Sequence, residues 1–132
     1  VGEVTSSAFL LGLPLGLLAN NILVVNNYRD LETDDTAGKR TLVVRFGKSF
    51  ARRQYLLQLV TAFLSVSIYL GMTQNFWVAL VFLMIPVGAG LVVAFRKTEG
   101  VALNQFLEKT AQLLLLFSIL LAGGIFLSAI GQ

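Results

Sequence analysis

Cysteine and histidine are both missing from this sequence. That excludes thiol and imidazole nucleophiles, Cys/His zinc sites and disulfides together, and leaves no basis for assigning a redox compartment. Charge is scarce as well. Only 13% of the 132 residues are charged and 56% are hydrophobic, with a mean hydropathy of +0.79, whereas soluble domains carry about 25% charged residues. The chain is therefore read as a membrane protein whose helices pack in lipid. It opens at Val1 with no basic n-region and no cleavage-site pattern, so no signal peptide is read, and we expect a fragment whose beginning lies elsewhere.

What is present is apolar length. Four stretches suffice for crossing a bilayer, at about residues 5–25, 55–70, 76–95 and 111–130, since a span takes roughly 20 residues at about 1.5 Å each. The fold class expected is all-α, a polytopic transmembrane helix bundle in a single domain over residues 1–132. The second stretch is the shortest and should borrow its ends from Arg53, Gln54 and Gly71. Pro14 in "GLPLG" and Pro86 before "GAG" are places where a helix can kink, although ordinary transmembrane packing through small residues is the favoured reading.

Charge between the spans fixes an orientation. The segment of residues 26–53 carries Arg29, Lys39, Arg40, Arg45, Lys48, Arg52 and Arg53, the turn at residues 71–75 carries no charge, and the loop after Phe95 carries Arg96, Lys97 and Lys109. The positive-inside rule puts both basic loops in the cytoplasm and Tyr69 and Trp77 near the far interface. A membrane surface or a phosphate suits this basicity. No nucleic-acid module or aromatic-interleaved basic patch is visible, so nucleic acid is not expected as a partner.

The stretch "NNYRDLETDDTAGKRT", residues 26–41, holds four of the seven acidic and three of the ten basic residues. If the first helix runs on through it, Asn20, Asn27, Asp30 and Asp34 share an arc of roughly 80°, with Asn26 about 40° further round. Carboxamides at Asn20 and Asn21 are costly in hydrocarbon unless they face protein or water, so this face should line a cavity. Asp30 and Asp34, one turn apart, offer two hard ligands for magnesium, which completes its shell with water and substrate phosphate. Arg29, Lys39 and Arg40 would then hold that phosphate, beside a flexible Gly38. Glu32 and Asp35 point away from the stripe. On the residues alone, a solvated helix cap and a diphosphate site are both open.

The same stretch resembles a known motif. "NNYRDLETDDTAGKRTLVVRFG" is similar to the second aspartate-rich motif of the UbiA superfamily of intramembrane prenyltransferases, and most of all to its MenA-like branch. The matching positions are Asn26, Asn27, Arg29, Asp30, Asp34, Gly38, Lys39, Thr41 and Leu42, and the likeness continues loosely through "FGKSFARRQY", "FLEKT" and "GGIFLS". The resemblance implies a nine-helix fold of which this chain supplies the last four. It implies Mg2+-dependent transfer of a polyprenyl or phytyl group from a prenyl diphosphate to an aromatic acceptor, 1,4-dihydroxy-2-naphthoate, in menaquinone or phylloquinone biosynthesis. Asp30 and Asp34 are then the metal-binding, catalytic pair, Arg29 and Lys39 diphosphate contacts, and Asn26 and Asn27 weaker contacts to the metal water or the acceptor. The family's first motif has no counterpart here, so the chain is expected to be inactive without an N-terminal half of the same enzyme. A bacterial inner or thylakoid membrane is the expected location.

Other functions compete. Another acceptor, hydroxybenzoate or homogentisate, would leave these residues unchanged. A small ion-handling subunit needs acidic or polar residues continuing across the bilayer, and the spans after Leu56 are read as offering only Thr61, Ser65 and Ser67. A membrane assembly factor would use the acidic loop to dock a soluble partner. In the loop "RKTEGVALNQFLEKT", Glu99, Glu108 and Lys109 could help close the cavity or bind the acceptor, but their spacing forms no helical site with the first cluster, so a solvated connection is preferred, with a break at Gly100 and an amphipathic piece at Leu103, Phe106 and Leu107 lying in the interface. Glu3 is read as a helix-end charge.

Overall fold

A computed structural model describes residues 5–131; Glu3 lies outside them. All regular structure there is helical: α1 Ser6–Arg29, α2 Leu31–Thr36, α3 Leu42–Phe46, α4 Lys48–Thr73, a 3₁₀ helix Phe76–Met84, α5 Ile85–Phe95 and α6 Ala102–Ile130. Four segments are long and apolar enough to cross a membrane, namely α1, α4, the 3₁₀ helix with α5, and α6. The second expected span proves to be a 26-residue helix. Its first two turns hold Arg52 and Arg53, which a hydropathy window cannot count. Likewise α6 starts well before Ala111, because its amphipathic first turns add polar residues to an apolar core.

Local chemistry sets the boundaries. Thr5 caps α1 by accepting from the Ala8 amide at 3.2 Å, satisfying one of the orphan donors at a helix start. Pro14 is buried within an uninterrupted α1. Pro86 acts differently. An α-helix running through it would lose a hydrogen bond and clash with the carbonyl four residues earlier, and the chain instead winds as 3₁₀ through Met84 and starts α5 at Ile85, so that Pro86 falls in a first turn where no donor is needed. At about 2.0 Å per residue in 3₁₀ and 1.5 Å in α, the third span reaches about 34 Å, enough for the hydrocarbon core.

α1 packs on α4 and α6, the third span packs on the same two, and the backbones of α1 and the third span stay apart, meeting through the Tyr28 and Phe95 rings. The four spans thus form a ring with α1 and α5 on opposite corners. Aromatic side chains fill its centre: Phe95 stacks on Phe106 with centroids 4.9 Å apart, and Tyr28 and Tyr55 tilt against Phe95 at 4.8 and 5.2 Å. The Tyr55 hydroxyl lies 3.1 Å from Thr110 Oγ1, which donates to the Phe106 carbonyl. Leu103 and Phe106 are buried in this core, which corrects the interfacial role expected of them: a three-residue spacing suits a lipid surface or a protein core, and here α6 turns that face inward.

Apolar tails of lipid give helices no hydrophobic reason to associate, so close packing and interhelical hydrogen bonds carry the contact. Glycine permits the closest approaches. A Cβ at Gly124 would stand 2.6 Å from the Trp77 carbonyl oxygen, and one at Gly88 would stand 2.9 Å from Leu59 Cδ2. Large apolar side chains such as Leu57, Leu64, Ile68, Leu115 and Ile119 are exposed on the outside, where hydrocarbon is the matching solvent.

Candidate functional site

The charged stretch folds as a cap on the end of α1. Helix α1 stops at Arg29, Asp30 takes φ −92° and ψ 11°, and α2 begins at Leu31. The break is slight, because the Asp30 amide still donates to the Asn26 carbonyl (3.0 Å) and the Asp34 amide to the Asp30 carbonyl (2.8 Å). Asp34 therefore sits one turn beyond Asp30, as the spacing predicts. Helix α2 then closes in a Schellman turn: the Gly38 amide donates to the Asp35 carbonyl at 3.0 Å and the Lys39 amide to the Asp34 carbonyl at 2.9 Å. Gly38 holds φ +76°, a conformation side chains resist. That turn brings Lys39 back over α2, where its Nζ lies 3.0 Å from Asp34 Oδ1.

Each aspartate thus has a cation of its own. Arg29 grips Asp30 with both limbs, Nε to Oδ1 at 2.8 Å and Nη2 to Oδ2 at 3.1 Å, and also donates to Asn26 Oδ1 (2.8 Å) and to Asn104 Oδ1 of α6 (3.2 Å). The hydrogen bond from Arg29 holds the Asp30 carboxyl below its usual range. Asp34 is buried at 7% exposure while Lys39 is exposed. Arg40 is exposed and joins neither pair. Thr41 caps the next helix: its Oγ1 accepts from the Val44 amide at 3.2 Å and opens α3. Glu32 and Asp35 are exposed, in keeping with their place off the stripe.

The two deep asparagines separate. Asn21 is buried and donates from Nδ2 to the Tyr55 carbonyl of α4 at 3.1 Å, so it fastens helices together. Asn20 and Asn27 are half-buried on the opposite flank of α1, beside the exposed positions Gly12, Gly16, Ala19 and Leu23. An added Cβ at Gly12 or Gly16 would meet nothing within 4 Å. The polar stripe therefore faces outward from these four spans, and the cavity expected there is not closed by them. A groove of about 420 Å³ lies instead between α5 and α6, lined by Pro86, Gly90, Ala94, Phe106 and Lys109 among others. On α4, Gln54 and Gln58 enclose carboxamide oxygens with no donor among the described residues, so polar groups in this span are not confined to Thr61, Ser65 and Ser67.

Sequence reasoning missed a second cluster at the same end of the bundle. Glu99, in the loop before α6, accepts from the Tyr28 hydroxyl at 2.6 Å, from Lys48 Nζ at 2.8 Å and from Arg52 Nη2 at 2.8 Å. Arg52 also donates to the Tyr28 hydroxyl, and Lys48 and Arg52 both lie over the Tyr28 ring. One carboxylate thereby joins α1, α4 and the α5–α6 loop, so this loop is not a merely solvated connection. The hydrogen bonds from Lys48 and Tyr28 lower the Glu99 carboxyl below its ordinary 4.5. Glu99 is separated from its partners by 47 to 71 residues, and no local pattern announces such contacts. Glu108 and Lys109 are exposed and form no ion pair among the described residues.

A match to the model of the UbiA prenyltransferase family covers residues 1–117. The chain belongs to the UbiA prenyltransferase family. It is 36% identical over 115 residues to the 1,4-dihydroxy-2-naphthoate octaprenyltransferase of Escherichia coli, covering 86% of this chain and 37% of that protein. It is 34% identical over 133 residues to the UbiA prenyltransferase domain-containing protein 1 of Gallus gallus, covering 99% and 38%. With the 1,4-dihydroxy-2-naphthoate octaprenyltransferase of Bacillus subtilis it shares 26% identity over 129 residues, covering 96% and 41%. No solved structure matches the chain. This UbiA chain therefore spans about two fifths of the length of the relatives it matches, and with four apolar helices it is an integral membrane protein.

The donors present suit a magnesium ion in one respect and leave it incomplete in another. Asp30 and Asp34 are hard oxygen ligands one turn apart, yet no group of three His, Cys, Asp or Glu residues able to hold a metal occurs among the described residues. Two carboxylates with water and phosphate oxygens are what magnesium ordinarily takes.

Proposed function

We propose that this chain forms one wall of an intramembrane aromatic prenyltransferase, which moves a polyprenyl or phytyl group from its diphosphate to 1,4-dihydroxy-2-naphthoate in menaquinone or phylloquinone biosynthesis. The observation that carries the reading is the pairing of Asp30 with Arg29 and Asp34 with Lys39 at the end of an outward-facing polar stripe, in a chain of the UbiA family. Both cations are exposed enough to turn. They neutralise the carboxylates; Asp30 and Asp34 would hold Mg2+, and Arg29 and Lys39 would then turn to the diphosphate oxygens.

In the reaction, the allylic carbon to oxygen bond breaks, the diphosphate leaves with the electron pair, and an acceptor ring carbon bonds to the allylic carbon as the carboxylate is lost. Bound magnesium would supply positive charge where the leaving diphosphate gathers negative charge. Arg29 and Lys39 add to the same electrostatic stabilisation, and Arg29 is held for it by Asn26 and Asn104. Asn20 and Asn27 face the space where the acceptor and the family's first aspartate-rich motif belong. That motif and the closing wall come from the rest of the protein, an N-terminal half packed on Gly12, Gly16, Ala19 and Leu23, without which the fragment is inactive. The motif lies on the cytoplasmic face of a bacterial inner or thylakoid membrane.

Asp30→Asn and Asp34→Asn, made separately in the complete protein, test this reading. Each should reduce magnesium-dependent prenylation of dihydroxynaphthoate in membranes by about 10²–10³-fold at unchanged protein level. Undiminished prenylation in both would refute it.

A further inference from the structure

A different face of the bundle carries an independent site. Between α4 and α5, at the charged end, a cavity of about 300 Å³ is lined by Ser49, Arg52, Arg53, Leu56, Val92 and Arg96. No acid lines it. Arg52 gives one nitrogen to Glu99, but its enclosed Nε has no acceptor, and neither Arg53 nor Arg96 forms an ion pair among the described residues. Directly beneath, sharing Leu56 and Val92, a second groove of about 300 Å³ is walled only by apolar side chains, among them Leu59, Val60, Phe63, Ile85, Ala89 and Val93. The two form one furrow, basic at the top and greasy below.

Its dimensions identify the occupant. From Arg52 to Phe63 along α4, and from Arg96 to Ile85 along α5, the furrow runs eleven residues, about 16 Å at 1.5 Å each. Half of a hydrocarbon core about 30 Å thick is about 15 Å. The apolar part, seven or eight residues from Leu56 to Phe63 and from Val93 to Ile85, is about 10–12 Å long, so it takes most of the depth of an acyl chain confined to one leaflet, and the arginines stand where its phosphate would lie. Basic pockets between transmembrane helices are a recurring way of holding anionic headgroups.

We propose that the α4–α5 furrow binds an anionic phospholipid of the leaflet on the charged side of the protein, with its phosphate on Arg52, Arg53 and Arg96 and one acyl chain along Leu56, Val60, Ala89 and Val92. The site is separate from the aspartate cluster and does not depend on which acceptor the enzyme prenylates. Ser49 supplies a hydroxyl donor beside the phosphate, and Ala89 leaves the groove open at its middle.

The test uses the protein purified in mild detergent and exchanged into mixed micelles of phosphatidylglycerol and phosphatidylcholine, with retained lipid quantified by mass spectrometry. Phosphatidylglycerol should be enriched over phosphatidylcholine in the wild type. A basic side chain near an anionic surface contributes on the order of fivefold in affinity, so the double variant Arg53→Gln with Arg96→Gln should lower the enrichment roughly tenfold or more. The charge-matched variant Arg45→Gln with Lys109→Gln, outside the furrow, should leave it unchanged. Ala89→Phe, which fills the groove, should lower retention of both lipids. Equal retention of the two lipids by the wild type, or an equal loss from the charge-matched control, would overturn the proposal. So would full displacement of the lipid by inorganic diphosphate, because it would show that the arginines recognise a free phosphate group without the chain.

Discussion

Two ionic clusters cap the same end of this bundle, and they are built in opposite ways. At the aspartate cluster the partners are sequence neighbours: Arg29 with Asp30, and Lys39 with Asp34 five residues away. At the Glu99 cluster the partners come from three separate elements, 47 to 71 residues apart. A local pair can open without moving any helix, because both partners ride on the same short segment. Opening a long-range set frees the helices it joins. The first arrangement suits groups that must exchange partners when a ligand arrives; the second suits a fastening.

The contrast predicts opposite phenotypes. In the complete protein, Asp30→Asn or Asp34→Asn should reduce prenylation by about 10²–10³-fold, the range for losing one electrostatic stabiliser of a transition state, with little change in melting temperature. Comparable activity loss accompanied by unfolding would place the aspartates among the fastenings. Lys39→Ala should have a smaller effect, roughly 10–100-fold, since it removes a group that acts on or beside a metal ligand. Its signature is a raised KM for prenyl diphosphate.

Glu99→Ala reverses the pattern. It leaves Tyr28, Lys48 and Arg52 without their shared acceptor and should cost about 1–2 kcal/mol, discounted because the carboxylate is half exposed. The melting temperature in detergent should fall by a few degrees, while prenylation at low temperature changes little.

The smallest effect is on pH. The Glu99 carboxyl is lowered below 4.5 in the folded protein, so its contribution to stability is complete above that value and is lost as the pH falls through the folded value. The melting temperature should hold steady from pH 7 to about 5 and fall below about 4.5, less steeply in Glu99→Gln than in wild type. Asp30, lowered by Arg29, contributes in the same direction. A profile identical in the two proteins would mean that Glu99 is not a fastening.

The same division into local and distant contacts explains what could be read in the sequence. Four apolar spans, the one-turn spacing of Asp30 and Asp34, the Thr41 cap and the turn at Gly38 all follow from residues near one another in the chain. Hydropathy placed the centres of α4 and α6 but cut their polar first turns away. Periodicity grouped Asn20 with the motif, yet it could not tell that adjacent Asn21, about 100° round the helix, would turn to the Tyr55 carbonyl. The 3₁₀ stretch before Pro86 depends on how the chain avoids a proline clash, which admits either a kink or a change of winding. Nothing around Glu99 foretells that Tyr28, Lys48 and Arg52 meet there, because that meeting is a property of the bundle.

The most direct test is a binding titration of an unreactive prenyl diphosphate analogue with and without Mg2+, run in parallel with thermal melting, on the complete protein carrying Asp34→Asn or Glu99→Ala. The account predicts that Asp34→Asn loses the magnesium-dependent part of binding at an unchanged melting temperature, whereas Glu99→Ala melts earlier and still binds with magnesium. If Asp34→Asn binds as wild type does, or Glu99→Ala is the variant that loses magnesium-dependent binding, the division of labour between the two clusters is contradicted.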